Sequence, residues 1–210
     1  MTANEIIGSL VYRTNNALNR NSRFLTELKG YRYYPAIVSD DKLHLWHFCG
    51  TGLEISQAFQ VLPNDSAIGS LKFPAVMNFQ GVLQGHYSGY TVCRYNLAIV
   101  APVFQDWTTQ EREEQVYKKV LKPIEDEFIR QISRFPHFQN PVGNFPYNST
   151  YIPTTGNALN SVMKVRYGDY IDVIELPNLS IKVLSACDGM SDLIVSESKK
   201  VTEEIKEKVR

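Results

Sequence analysis

The chain is short of cysteine, carries no excess charge of either sign, and has no long apolar run. Its three cysteines, Cys49, Cys93 and Cys187, are odd in number, far apart and never in a CxxC pair. That excludes a paired-thiolate redox or zinc motif and leaves buried, reduced thiols as the expectation. Lys and Arg together number 22, as do Asp and Glu, so no global field points to nucleic acid or an anionic membrane. No window approaches the ~20 apolar residues of a membrane helix. The opening MTANEIIGSLVYR lacks a basic stretch followed by an apolar one, so no signal peptide is expected. The Asn-x-Ser/Thr matches at Asn64, Asn148 and Asn178 then read as chance.

Signatures of chemistry are equally sparse. Gly50-x-Gly52 lacks a third glycine, and nothing resembles GxxxxGK[ST], so no phosphate cradle is expected. His44 and His47 lie near Cys49, but residues three apart on a strand point to opposite faces and do not easily share one ion. His86 sits among glycines and His137 follows Pro136, neither with a nucleophile or orienting carboxylate at informative spacing. Asp40-Asp41 reads as a turn, Glu125-Asp126-Glu127 as solvated helix surface, and Asp169 with Asp172 as a strand-end pair. No catalytic, cofactor-binding or metal-ligating residue is therefore expected, and no cofactor. The enzymatic alternative is a hydrolase in which Asp169, Asp172 and His86 or His137 converge on a cleft.

What the chain does have is aromatics, twelve Tyr and ten Phe in 210 residues, which suit strands and protein interfaces. Its clearest element lies within Asp106–Phe138. Thr108 and Glu111 form a capping-box pair. Val116, Val120, Leu121, Ile124, Phe128 and Ile132 then recur at the spacing of one buried helical face. Pro123 interrupts this helix, which predicts a kink near Val120–Lys122. Thr2 and Glu5 head a second helix, with Ile6, Ile7, Leu10 and Val11 on its apolar face, expected to fade in the run Asn15 to Asn21. A short helical turn around Phe24–Leu28 ends at Gly30.

Between the helices, Tyr34–Val38 and Leu43–Cys49 read as a hairpin about Asp40-Asp41, and Phe73–Phe79 as a strand. Leu53–Ser70 fits a short helix or an irregular segment. Gly81, Gly85 and Gly89 suggest a mobile or tightly turned loop. Tyr90–Val103 is the longest strand and is placed centrally in the sheet. Val162–Tyr167 and Tyr170–Glu175 read as strands about Gly168-Asp169, and Leu179–Leu184 as a last strand after a break at Leu176-Pro177-Asn178. Arg20, Arg23, Lys29 and Arg32 beside Tyr31, Tyr33 and Tyr34 are the best local nucleic-acid candidate, although a solvated helix end entering a strand explains them as well.

These elements predict an α+β fold: a mostly antiparallel sheet with the N-terminal helix and the long kinked helix on one face. Residues 1–190 form one domain, with an ordered, aromatic arm at 136–157. Residues 191–210 form a charged tail whose thin apolar stripe needs a surface to dock on.

Three stretches resemble the tail-terminator or neck-ring proteins of tailed bacteriophages, especially those infecting Bacteroides-like hosts. They are VYKKVLKPIEDEFIRQI at Val116–Ile132 after the capped DWTTQER, the strand RYNLAIVAPV leading into it, and RYGDYIDVIELPNLSIKVL at Arg166–Leu184. The N-terminal helix followed by YYPAIV is similar to the start of these proteins. The resemblance implies a non-enzymatic subunit of the virion that assembles into a six- or twelve-fold ring at the head–tail interface, joining or capping the tail. Its partners would be copies of itself and portal, neck or tail-tube proteins, with passing contact with DNA in the channel and no membrane. A ring subunit of this kind makes head-to-tail contacts through arms and aromatic anchors. Phe145, Tyr147 and Tyr151 in the arm are the candidate anchors, with Ile194, Val201, Ile205 and Val209 of the tail docking in a neighbour's groove. A non-viral adaptor that presents the aromatic arm to a ligand is the alternative.

Overall fold

A computed structural model describes residues 2–31, 38–39, 41–61, 72–87, 89–135, 138, 146–153, 170–184 and 193–200. Helix α1 (Ala3–Asn19) starts on the expected capping box: Thr2 Oγ1 accepts from the Glu5 N–H, and the Glu5 carboxylate accepts from the Thr2 N–H. The asparagines at its end do not unwind it. Asn15 Oδ1 accepts from the Leu45 N–H at 3.0 Å, while Asn19 accepts from Leu43 N–H and donates to Leu43 O. They tie the helix to a passing chain. Asn21 caps helix α2 (Ser22–Leu28) by accepting from the Phe24 N–H.

Strands β1 (Val38–Ser39) and β2 (Lys42–Leu43) make a minimal hairpin, with Asp41 at a φ of 57°. The expected partnership of Tyr34–Val38 with Leu43–Cys49 stops there. Residues 34–37 lie outside the described residues, and β3 (Trp46–Gly50) pairs instead in parallel with β4 (Ala75–Tyr87). A parallel pair needs a crossover. The crossover includes helix α3 (Gly52–Val61), capped reciprocally by Thr51 and Glu54. The described part of Leu53–Ser70 is thus helical.

The main sheet runs β3-β4-β5-β7-β6, with β5 (Tyr90–Pro102) at its centre, β7 (Ile171–Leu184) beside it and β6 (Thr150–Ile152) on the edge. Every pairing but β3–β4 is antiparallel. The fold is α+β, as the sequence pattern predicts.

Helix α4 has three parts: α-helical over Thr109–Arg112, π-helical over Glu113–Leu121 and α-helical again over Lys122–Arg134. Its six predicted apolar residues from Val116 to Ile132 are all fully buried. At Val120–Lys122, where the kink is expected, the π-helical run gives way to α-helix. There the Lys122 N–H donates to Tyr117 O, five residues back. The wider register makes room for Pro123, whose ring would press on a carbonyl in an α-turn and which has no N–H to give.

α1 and α4 pack against one another and on one face of the sheet, where Asn78 Nδ2 donates to Asn4 Oδ1 and Tyr95 donates to Ala3 O. α3 takes the opposite face: Phe59 meets Phe48 at 4.7 Å and Phe73 at 5.4 Å. Covered from both sides, Ala75–Asn78, Leu97–Ala101 and Ile171–Ile174 are buried along their whole length.

Two bulges end this doubly covered half at the same level. Against β5, strand β4 slips register between Phe79 and Leu83, and β7 slips where Tyr95–Leu97 faces Leu179–Leu176. Gly81 and Gly85 therefore lie within a continuous strand, and the described turn residue between β4 and β5 is Gly89. Leu176-Pro177-Asn178 likewise is a bulge and not a break. It puts Leu176 and Leu179 on the same buried face, which three residues of regular strand cannot do. Beyond the bulges, β4, β5 and β7 continue as a ribbon whose helix-side residues Cys93, Ile181 and Val183 are buried. Val162–Tyr167, expected as a strand before Tyr170–Glu175 about Gly168-Asp169, lies outside the described residues.

Candidate functional site

The described part of the arm is laid along the sheet edge. Thr150–Ile152 pairs with Val173–Glu175, and Tyr151 turns toward α4, its ring 4.6 Å from that of Tyr117. Its hydroxyl donates to Asp172 Oδ2 at 2.9 Å. Asp172 Oδ1 accepts from an Arg112 Nη at 2.9 Å, and both side chains are fully buried. Arg112 also donates to Trp107 O and Phe104 O. One ion pair with its hydrogen bonds thus joins the start of α4, the start of β7 and the edge strand.

Burial, followed by the negative charge of Asp172, raises the Tyr151 hydroxyl pKa well above the usual phenol range. Tyr151 therefore stays protonated and donating. The trio has a donor, an acceptor and a counter-charge but no nucleophile facing open space, so its chemistry is that of a clamp.

Of the predicted contact residues, Tyr147 is half-buried against the core, and burial followed by the charge of Glu125 raises its pKa. Tyr151 is engaged within its own chain, as above. The expectation that Ile194 docks on a neighbour is corrected. Residues 193–200 form a helix, α5, in which Ile194 is fully buried in the chain's own core. Glu197 accepts from Ser9 Oγ and from Arg13 Nε, the latter at 2.8 Å. The two helices meet at Gly8, where an added Cβ would lie 2.3 Å from Ser198 Oγ. The described part of the tail, residues 193–200, thus rests on α1. Phe145, Val201, Ile205 and Val209 lie outside the described residues.

Of the residues offered for an enzymatic site, the two described ones, Asp172 and His86, lie far apart. Asp172 pairs with Ala101 and His86 with Thr91 of β5, a separation of ten residues or roughly 34 Å along the strand. His86 Nδ1 lies 3.1 Å from Thr91 Oγ1; Asp169 and His137 are outside the described residues. Among those residues no group of three His, Cys, Asp or Glu could hold a metal ion. Glu125 and Glu127, expected to be solvated, are buried. Lys122 donates to Glu125 at 3.1 Å, and Arg130 and Gln131 donate to Glu127. Burial lowers the pKa of His47 to about 4, so it is neutral at pH 7.

Of the basic-aromatic cluster near residues 20–34, Arg32, Tyr33 and Tyr34 lie outside the described residues. Tyr31 is buried, with its hydroxyl donating to Pro102 O, and Arg23 is paired with Glu27. The sequence reading missed Arg112, which sits among surface glutamates in a first helical turn. The burial of both Trp107 beside it and Asp172 across from it is a tertiary fact that no spacing carries.

No helix among the described residues is long and apolar enough to cross a membrane. Comparison of the chain with protein-family models, curated proteins and solved structures found no match.

Proposed function

We propose that the protein is a structural virion subunit that assembles into a ring in the neck or tail of a tailed bacteriophage, where it joins or caps the tail. The resemblance of the three stretches supports this, and one observation carries it further. Those stretches form one unit: β5 pairs with β7, α4 lies across both, and the Arg112–Asp172 ion pair ties helix to strand.

The unit has two unlike edges. The outer side of β3 has no strand partner among the described residues. On the other side, β6 covers only Val173–Glu175, and beyond it the Phe138–Val183 bridge is the one described contact. Unlike edges on opposite sides of one subunit suit a head-to-tail contact, which closes into a ring when its rotation allows. Light scattering on the full chain at rising concentration tests this reading. The expected result is a discrete assembly many times the 24.0 kDa subunit mass. A 24.0 kDa species at every concentration would overturn self-assembly.

A further inference from the structure

The outward face of the ribbon beyond the two bulges carries Gly85 and Tyr87 of β4, Tyr90, Val92 and Arg94 of β5, and Ser180, Lys182 and Leu184 of β7. Tyr87 and Tyr90 stack at 5.0 Å with their planes 15° apart, and Tyr87 is 57% exposed. The Tyr87 ring lies over Gly85, where an added Cβ would stand 3.1 Å from it. One face of Tyr87 thus rests against Tyr90, while more than half of the residue stays open to solvent. Lys182 Nζ sits 5.6 Å from the Tyr90 ring centre. Arg94 is exposed, four residues or about 13 Å along the strand from Tyr90. Gln84, Gly85, Tyr87, Val92 and Arg94 line an open depression of about 210 Å³ between them. Among the described residues the strip has no carboxylate, and the nearest described one on this face is Glu175, opposite Ala98 and so about another 13 Å past Arg94.

We propose that this face binds single-stranded nucleic acid, with a base stacked on Tyr87 and phosphates drawn to Lys182 and Arg94. The combination is specific. An exposed aromatic ring suits an unpaired base, while two cations with no carboxylate among the described residues of the strip suit the backbone that follows it. A duplex hides its base faces and is held by a broad basic surface, which a chain with a formal charge of +0 does not supply. An acidic peptide would use the cations but leave the tyrosine platform idle. The proposal does not rest on the ring reading.

The test is fluorescence anisotropy of a labelled oligothymidylate of about twelve nucleotides with the full chain at about 50 mM salt. Saturable binding is expected. Tyr87→Ala should weaken it about tenfold while Tyr87→Phe retains it, and Arg94→Ala with Lys182→Ala should flatten its salt dependence. Arg23→Ala, a surface change elsewhere, should leave binding intact. Unchanged thermal unfolding of each variant confirms that the fold is not the cause. The proposal is overturned by absence of binding, by equal affinity of wild type and Tyr87→Ala, or by a duplex of the same sequence binding as tightly.

Discussion

The backbone N–H of Asn178 donates to the side-chain oxygen of Asn96 at 3.0 Å, across the point where β7 bulges against β5. Asn178 has a φ of 54°, the left-handed region that asparagine tolerates better than other side chains. The two asparagines hold the seam between the doubly covered half of the sheet and the ribbon. Asn178→Val should destabilise the protein by about 1–2 kcal/mol, because a β-branched residue is strained at that φ. Asn178→Gly should be nearly neutral. Urea unfolding of the two variants checks this, and equal stabilities would remove the conformational argument.

Asp172 balances the buried guanidinium of Arg112 and receives the hydroxyl of Tyr151. Asp172→Asn keeps the shape but leaves a buried cation without its counter-charge, which should cost about 3–5 kcal/mol. Replacing both members by apolar residues, Arg112→Met with Asp172→Leu, should recover much of that. A double-mutant cycle in urea measures the coupling. If the double variant were as unstable as the sum of the singles, the pair would be uncoupled.

Two groups partly withdrawn from solvent set opposite limbs of the stability–pH curve. His47 has a folded pKa of about 4 against an ordinary 6.5. The unfolded chain therefore binds the extra proton first, and stability present above pH 6.5 is lost as pH falls toward 4. Tyr151 is raised above its ordinary 10.0, so its contribution is complete below pH 10 and is lost as pH climbs beyond it. His47→Leu should flatten the acid limb and Tyr151→Phe the alkaline one. Stability profiles of the three proteins from acid to alkali would show it, and parallel curves would contradict it.

At Gly8 the absence of a side chain allows α5 to rest on α1. Gly8→Leu should lift residues 193–200 away and expose the Glu197 contacts with Ser9 and Arg13 to water. The core of α1 should remain. Limited proteolysis should then cut within 193–200 far faster than in the wild type, with little change in the rest of the digestion pattern. An unchanged cleavage rate would mean that α5 is held by contacts other than this one.

Local chemistry made much of the fold legible. The Thr2–Glu5 and Thr108–Glu111 boxes start helices where they should, and the period from Val116 to Ile132 marks a face that is buried throughout. The errors share a cause. Gly81 and Gly85, like Leu176-Pro177-Asn178, carry the residues of turns, but a bulge uses the same residues, and only the long partner strand β5 decides between them. Tyr31, Glu125 and Glu127 have polar neighbours in sequence and so look like surface, yet each is buried in the fold. The clamp was hidden for the same reason, since Arg112 and Asp172 lie 60 residues apart. The stacked pair Tyr87–Tyr90 had a local signal, two tyrosines flanking Ser88-Gly89, but the cation from Lys182 arrives only through strand pairing.

The most direct test of the ring assignment is negative-stain imaging of the purified full chain at the highest concentration it tolerates. The account predicts closed rings of uniform diameter whose class averages show six- or twelve-fold rotational symmetry, as repeated head-to-tail contact between unlike sheet edges requires. Fields of single subunits, or open filaments of indefinite length, would contradict it.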